Sequence, residues 1–348
     1  MLQAVKFQIE GPALGGQLKK VSVPQLVCGR LAPSPTGALH LGNARTFMIA
    51  WLRVRSQGGR LILRMEDLDH PKNKPGAAAG VLEDLRWLGF DWDEGPDKGG
   101  PFAPYTQSER KAFYAQALER LRLKHLAYPC VCSRRDVATG QSAPHIEDGL
   151  YYAGTCRDRY LTYQEAQAQL PMGRLPAWRF RVPPESTVHL IDRFYGEYEQ
   201  EVASASGDFV LARDPLGAGY MLAVVVDDAA MGVTEVVRGD DLLPTTPRQL
   251  MLYDALGLTP PAFLHVPLVV NMEGRRLAKR HGDTRIRALR ESGCSQEQVI
   301  GLLAWWCGWA AWTERISLRE LIPRFDLQRL PREPAQLTPA VIRTYHIK

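Results

Sequence analysis

Apolar positions along the chain fall into two alternating rhythms, short continuous runs and longer stretches of helical spacing. Residues 26–30 (LVCGR) read as a strand and a Pro/Gly loop follows. Phe47, Ala50, Trp51 and Val54 then recur at i, i+3, i+4 and i+7, the spacing of one helix face. A second apolar run at 61–65 reads as another strand. Strand, helix and strand with a helix-length crossover make a βαβ unit, which predicts a parallel sheet with ligands gathered at the strand carboxyl ends. The loop at 31–42 falls there. A second helix over 76–88 places Val81, Leu82, Leu85 and Leu88 on one face and stops at Gly89.

Residues 108–126 read as a further amphipathic helix, and 130–156 as a turn-rich insertion with little periodicity. The apolar runs 221–226 and 233–237 read as strands rejoining the parallel sheet. Beyond about residue 286 the pattern is helical, with no further β unit. Residues 1–25 show no sustained period and read as an extension. The longest uncharged apolar run, 299–312, is shorter than the roughly 18 to 20 residues a membrane span needs.

A chain of 348 residues suits two domains, or one large domain carrying an insertion. The net charge of +5 favours a polyanionic partner only slightly. Six cysteines without a secretory leader pattern read as reduced thiols or metal ligands. The expectation is a soluble, cytoplasmic protein.

Two segments carry the chemistry. In residues 30–43 (RLAPSPTGALHLGN), prolines and glycines hold a tight loop that leads into a helix carrying His40 and Asn43 in its first turn. Free N–H groups and the helix dipole favour an anion there, and His40 can donate to a phosphate oxygen. Residues 274–282 (GRRLAKRHG) form a glycine-flanked basic loop after the apolar segment HVPLVV, and Lys279 can offset phosphate charge as it develops. Taken singly, each segment is also compatible with an ordinary turn or a solvated basic surface. Cys130, Cys132 and Cys156 supply three soft ligands around one short stretch; structural zinc takes four. The residues alone leave His145 and Tyr152 both open as the fourth.

PSPTGALHLGN resembles the "HIGH" signature of class I aminoacyl-tRNA synthetases in its glutamyl form, with Asn43 in place of the final histidine. GRRLAKRHG resembles the "KMSKS" loop, with Ala278 and Arg280 where the signature has serines. Two long stretches, beginning RLILRMEDLDHPKNKPG and GYMLAVVVDDAAMGVTEVVRGDD, resemble glutamyl-tRNA synthetases almost continuously. The resemblance implies an α/β fold: a Rossmann-type parallel-sheet catalytic domain over 26–290, with a zinc-bearing insertion at about 105–205. A short helical C-terminal region over 291–348 would carry no anticodon-binding domain.

It also implies catalytic roles for His40 and Lys279, and ATP binding by His40, Gly42, Asn43 and Lys279 with Mg2+. Arg30, Leu31, Ala32, Pro33, Ser34, Glu66, Tyr220 and Arg238 would line a glutamate site. An ammonium suits Glu66, and a carboxylate side chain suits the forked guanidinium of Arg238.

C-x-C followed by Y-x-x-x-C resembles the zinc site of the glutamyl-queuosine tRNA(Asp) synthetase family, which implies Cys130, Cys132, Tyr152 and Cys156 as Zn2+ ligands. That family implies activation of L-glutamate with ATP and its transfer to queuosine in the tRNA(Asp) anticodon. The alternatives are a truncated glutamyl-tRNA synthetase charging tRNA(Glu), and a non-catalytic paralogue that binds tRNA or an amino acid.

Overall fold

The computed structural model describes residues 7–10, 26–68, 73–139, 151–213, 217–275, 277 and 283–347. In chain order β1 (Phe7–Glu10) and β2 (Cys28–Leu31) precede α1 (Leu41–Arg55), β3 (Arg60–Leu63), α2 (Ala77–Trp87) and α3 (Lys111–Leu123). Then come β4 (Ala127–Cys130), α4 (Arg134–Thr139), α5 (Tyr163–Gln167), β5 (Ala177–Phe180), β6 (Thr187–Asp192), β7 (Gly196–Glu201), α6 (Val202–Ala205) and β8 (Phe209–Ala212). The rest holds α7 (Tyr220–Ala230), β9 (Glu235–Gly239), α8 (Thr246–Leu256), β10 (Ala262–Val266) and β11 (Val269–Val270). Last are α9 (Ile286–Glu291), α10 (Gln296–Trp305), α11 (Leu318–Leu321), β12 (Ala335–Gln336) and α12 (Pro339–Thr344).

The described residues divide into two compact units. One comes from segments 25–107, 233–243 and 262–348, the other from 1–24, 108–232 and 244–261. The first is built on parallel strand pairs and is called the parallel unit; the second, built on antiparallel sheets, is the antiparallel unit.

In the parallel unit, β2, α1 and β3 form the expected βαβ arrangement, with Cys28 opposite Arg60 and Leu31 opposite Leu63 in parallel register. Strands β9 and β10 make a second parallel pair, with Arg238 opposite His265. Thr234 joins β2 to the start of β9: its N–H donates to the Cys28 carbonyl at 2.8 Å, and its hydroxyl accepts from the Cys28 N–H at 2.9 Å. Helix α1 buries Leu41, Ala44, Met48, Ile49, Trp51 and Leu52, and burial of each large apolar side chain contributes roughly 1.5–3 kcal/mol. Gly29 permits its close approach, because a Cβ there would lie 2.5 Å from a Val54 methyl. Arg53 then ties α1 to β9 by donating to both carboxylate oxygens of Glu235, at 2.7 and 3.1 Å. Helix α2 stops as expected, since Gly89 takes a φ of 86° just past the helix end.

The antiparallel unit holds two three-stranded sheets, ordered β1-β6-β7 and β4-β5-β8. Its helices α3 and α7 are joined by Arg110, which donates to Asp227 at 2.6 Å, while the Tyr114 hydroxyl donates to the same carboxylate at 2.8 Å.

Three sequence expectations are corrected. Residues 221–226 are not a strand but lie in α7, where Leu222 through Asp228 are buried without interruption. The helix packs against α3, α8 and β8, and a helix enclosed on several sides shows no amphipathic period. Residues 7–10 form β1, which pairs antiparallel with β6. Beyond residue 286 the chain still contributes β12, paired in parallel with β11. Among the described residues no helix is long and apolar enough to cross a membrane.

Candidate functional site

His40 takes the N-cap position of α1 in extended conformation, and its side chain does not cap the helix. Its imidazole is instead turned toward the far end of the unit's sequence, where Nδ1 lies 3.2 Å from the Thr284 hydroxyl. The backbone follows the same path. His40 bridges Arg285 in antiparallel fashion, Leu41 N–H donates to the Thr284 carbonyl at 3.0 Å, and Ile286 N–H donates to Leu39 at 2.8 Å. The loop at 31–42 is thereby stitched to the segment that follows the basic loop, 244 residues away along the chain.

Gly37, Ala38, His40, Lys74, Asp283 and Arg285 line a cleft of about 470 Å3 beside this seam. The Arg285 guanidinium holds the Asp283 carboxyl below its ordinary range. With no acid in the first turn of α1, the helix start keeps its preference for an anion. Gly42 is half-buried and Asn43 exposed in that turn. Lys279 lies outside the described residues, as do Arg276, Ala278 and Arg280. Thr284 was not singled out from the sequence, since nothing in its neighbourhood marks it before the loops meet.

Several of the residues expected around glutamate come together in the parallel unit. Arg30 is buried and donates to the Val237 carbonyl at 3.2 Å, next to Arg238. Leu31 is buried on β2, Ala32 half-buried, Pro33 buried and Ser34 exposed. Glu66 N–H donates to the Pro33 carbonyl at 2.9 Å, and the Glu66 carboxylate pairs with Arg64 at 2.9 Å. Arg238 is buried and donates through Nε to His265 Nε2 at 3.0 Å. Tyr220, the first residue of α7, belongs to the antiparallel unit and is 38% exposed.

The antiparallel unit holds a separate cluster. The sulfurs of Cys130, Cys132 and Cys156 all lie within 4.8 Å of one another, a group that could hold one metal ion. The Tyr152 oxygen lies 3.4 Å from Cys130 Sγ and 3.8 Å from Cys132 Sγ, and it accepts the Cys156 N–H at 2.8 Å. A hydrogen bond from Cys130 holds the Cys156 thiol down to about 6. Cys130 is pushed up by the same bond and by burial. One thiol of the three is therefore poised as a thiolate, the form that binds metal.

Arg179, absent from the sequence reading, donates to Cys130 Sγ at 3.2 Å and lies 3.7 Å over the Tyr152 ring. It places a positive charge beside a donor set that becomes anionic when metal binds. Its position on β5 gave no local signal. His145 lies outside the described residues.

The fold is that of an α/β catalytic domain. The family described as "tRNA synthetases class I (E and Q), catalytic domain" matches residues 26–343, and the chain belongs to it and is a ligase. It is similar to the Glutamyl-Q tRNA(Asp) synthetase of Symbiobacterium thermophilum, 50% identical over 314 residues that span 90% of this chain and 96% of the relative. The protein of the same name from Nitratidesulfovibrio vulgaris is 48% identical over 318 residues, 91% of this chain and 97% of the relative. A glutamate tRNA ligase from Elizabethkingia meningosepticum, solved in complex with its amino acid, superposes with a TM-score of 0.77 at 29% identity. That match covers 92% of this chain and 69% of the other.

Proposed function

We propose that the chain activates L-glutamate with ATP and transfers the glutamyl group to queuosine in the anticodon of tRNA(Asp). The observation that carries the activation step is the seam at His40, which unites the anion-favouring start of α1 with the segment after the basic loop. In this reading Arg238 takes the substrate side-chain carboxylate, Glu66 its ammonium group, and the 30–34 backbone its flank. The α-carboxylate attacks the α-phosphorus of ATP in line, and the bond to the leaving pyrophosphate breaks. His40 and Lys279 stabilise the phosphate charge as it develops, with Gly42 and Asn43 against the nucleotide. Mg2+ entering with ATP would add to that charge neutralisation. A queuosine hydroxyl then attacks the mixed anhydride, and AMP departs. Fixed geometry and electrostatics account for the acceleration without a covalent enzyme intermediate.

The parallel pairs belong, in this reading, to a Rossmann-type sheet. Cys130, Cys132, Cys156 and Tyr152 hold a structural Zn2+, for which three converging thiols and a phenol oxygen are a fitting donor set.

The choice of acceptor rests on similarity: 50% and 48% identity to the two glutamyl-Q relatives, nearly the whole of which the chain covers, against 40% to a glutamate–tRNA ligase of Heliobacterium modesticaldum, of which it covers 62%. Transfer of labelled glutamate to queuosine-containing tRNA(Asp), queuosine-free tRNA(Asp) and tRNA(Glu) tests it. Label is expected only on the first. Label on tRNA(Glu) alone would establish charging of that tRNA instead, the reading favoured by the likeness to the glutamate tRNA ligase.

A further inference from the structure

Strand β10 is buried at all five positions, and four of its residues, Ala262, Phe263, Leu264 and Val266, are apolar. The fifth is His265, with no exposed surface at all. A polar ring in such a place is destabilising unless it is hydrogen-bonded, and a leucine would fill the same volume without that requirement.

The bond it makes is specific. His265 is the direct register partner of Arg238, and the Arg238 Nε–H donates to His265 Nε2 at 3.0 Å. Because guanidinium can only donate, Nε2 must accept, so the imidazole is neutral with its proton on Nδ1. Phe263, two residues earlier and so on the same face of the strand, carries the guanidinium 5.2 Å from its ring centre. Its ring lies 6.1 Å from that of His265 at an interplanar angle of 12°. Phe263 thus lies against the guanidinium and His265 fixes one edge, while Nη2 also reaches the Leu242 carbonyl at 3.5 Å.

We infer that His265 is a positioning residue for substrate recognition: as a neutral Nδ1-protonated imidazole it locks the Nε edge of Arg238, so that a substrate carboxylate is met through the Nη atoms. The inference rests on the reading of Arg238 as the carboxylate-binding arginine. A neutral acceptor suits this task because it orients the guanidinium without adding a negative charge that would repel the incoming carboxylate. A carboxylate at position 265 would hold the arginine as firmly and discourage the substrate.

Glutamate-dependent ATP–pyrophosphate exchange by the full chain tests this with His265→Leu, His265→Gln and Arg238→Gln. The glutamine variant can present Oε1 where Nε2 stands; leucine cannot accept at all. His265→Leu is expected to raise the KM for glutamate about tenfold or more, the scale of one charge-assisted hydrogen bond. The KM for ATP should stay within about twofold and kcat within about threefold, while His265→Gln recovers most of the glutamate affinity. The preference for glutamate over glutamine should narrow in the leucine variant. In the wild type, 15N spectroscopy should show an Nδ1-protonated ring coupled through the hydrogen bond to Arg238 Nε.

An unchanged glutamate KM in His265→Leu, while Arg238→Gln is impaired, overturns the inference alone. So does equal impairment of both substrates, or a glutamine variant no better than leucine. An unchanged glutamate KM in Arg238→Gln would instead overturn the glutamate reading of that residue.

Discussion

Two buried arginines, one in each unit, are held in different ways. In the antiparallel unit Arg110 donates to the carboxylate of Asp227, which also receives the Tyr114 hydroxyl. In the parallel unit Arg238 donates to a neutral imidazole. A carboxylate partner makes a clasp of opposite charges, and its work is to join α3 to α7. An imidazole partner fixes an edge and leaves the sign of the charge unaltered. The difference teaches that burial of an arginine does not by itself define its role. The wider contrast follows the same line, since the antiparallel unit concentrates a clasp and a thiol cluster, whereas the parallel unit concentrates anion-favouring loops.

The sharpest way to break the comparison is Asp227→Ala, which strands the Arg110 charge in the core. Urea unfolding should show a loss of about 3–5 kcal/mol. A loss below about 1 kcal/mol, the range of an exposed pair, would mean that the clasp is not structural. His40→Ala probes the other unit and should leave the unfolding midpoint nearly unchanged. Its kcat for exchange should fall by about 10²–10³, as when one preorganised donor to a charged transition state is lost. A variant that unfolds early but turns over normally would invert the assignment of roles.

The thiol cluster offers a smaller, pH-dependent test. Cys156 is held down to about 6, so it is a thiolate above that pH and takes up a proton as pH falls through it. Chelator competition should show the pH dependence of zinc affinity steepening below about 6 by roughly a further tenfold per pH unit, one more proton being displaced by the metal. An unchanged slope would mean that no thiolate of the cluster takes up its proton near that pH. Smallest is Ser295→Ala, which deletes the capping box at the start of α10. It should cost about 1 kcal/mol in unfolding free energy and leave exchange kinetics alone. A change in kcat there would show that the start of α10 is coupled to the chemistry at His40.

The βαβ unit was legible because Phe47, Ala50, Trp51 and Val54 recur at helical spacing between two strand-length apolar runs. Gly89 was legible as a stop because its left-handed φ is a local property. Met221 to Val226 misled for the opposite reason. Helix α7 buries Leu222 through Asp228 continuously, and an unbroken apolar run has no period to read. The thiols were legible because C-x-C and the distant cysteine name their own chemistry. Arg179, Thr284 and His265 were not, since each acts through a partner distant in sequence: 49 residues for Arg179 and Cys130, 244 for Thr284 and His40, and 27 for His265 and Arg238.

The sequence by itself determined the residue types that can bind anions, carboxylates and metal, and the local rules that start and stop α1 and α2. Those are consequences of side-chain chemistry and backbone preference within a few residues. Only the tertiary structure decided that His40 meets Thr284, that Arg179 attends the thiols, and that the acceptor opposite Arg238 is a neutral ring. These are long-range pairings fixed by strand register and packing, and no single segment of the chain contains both partners.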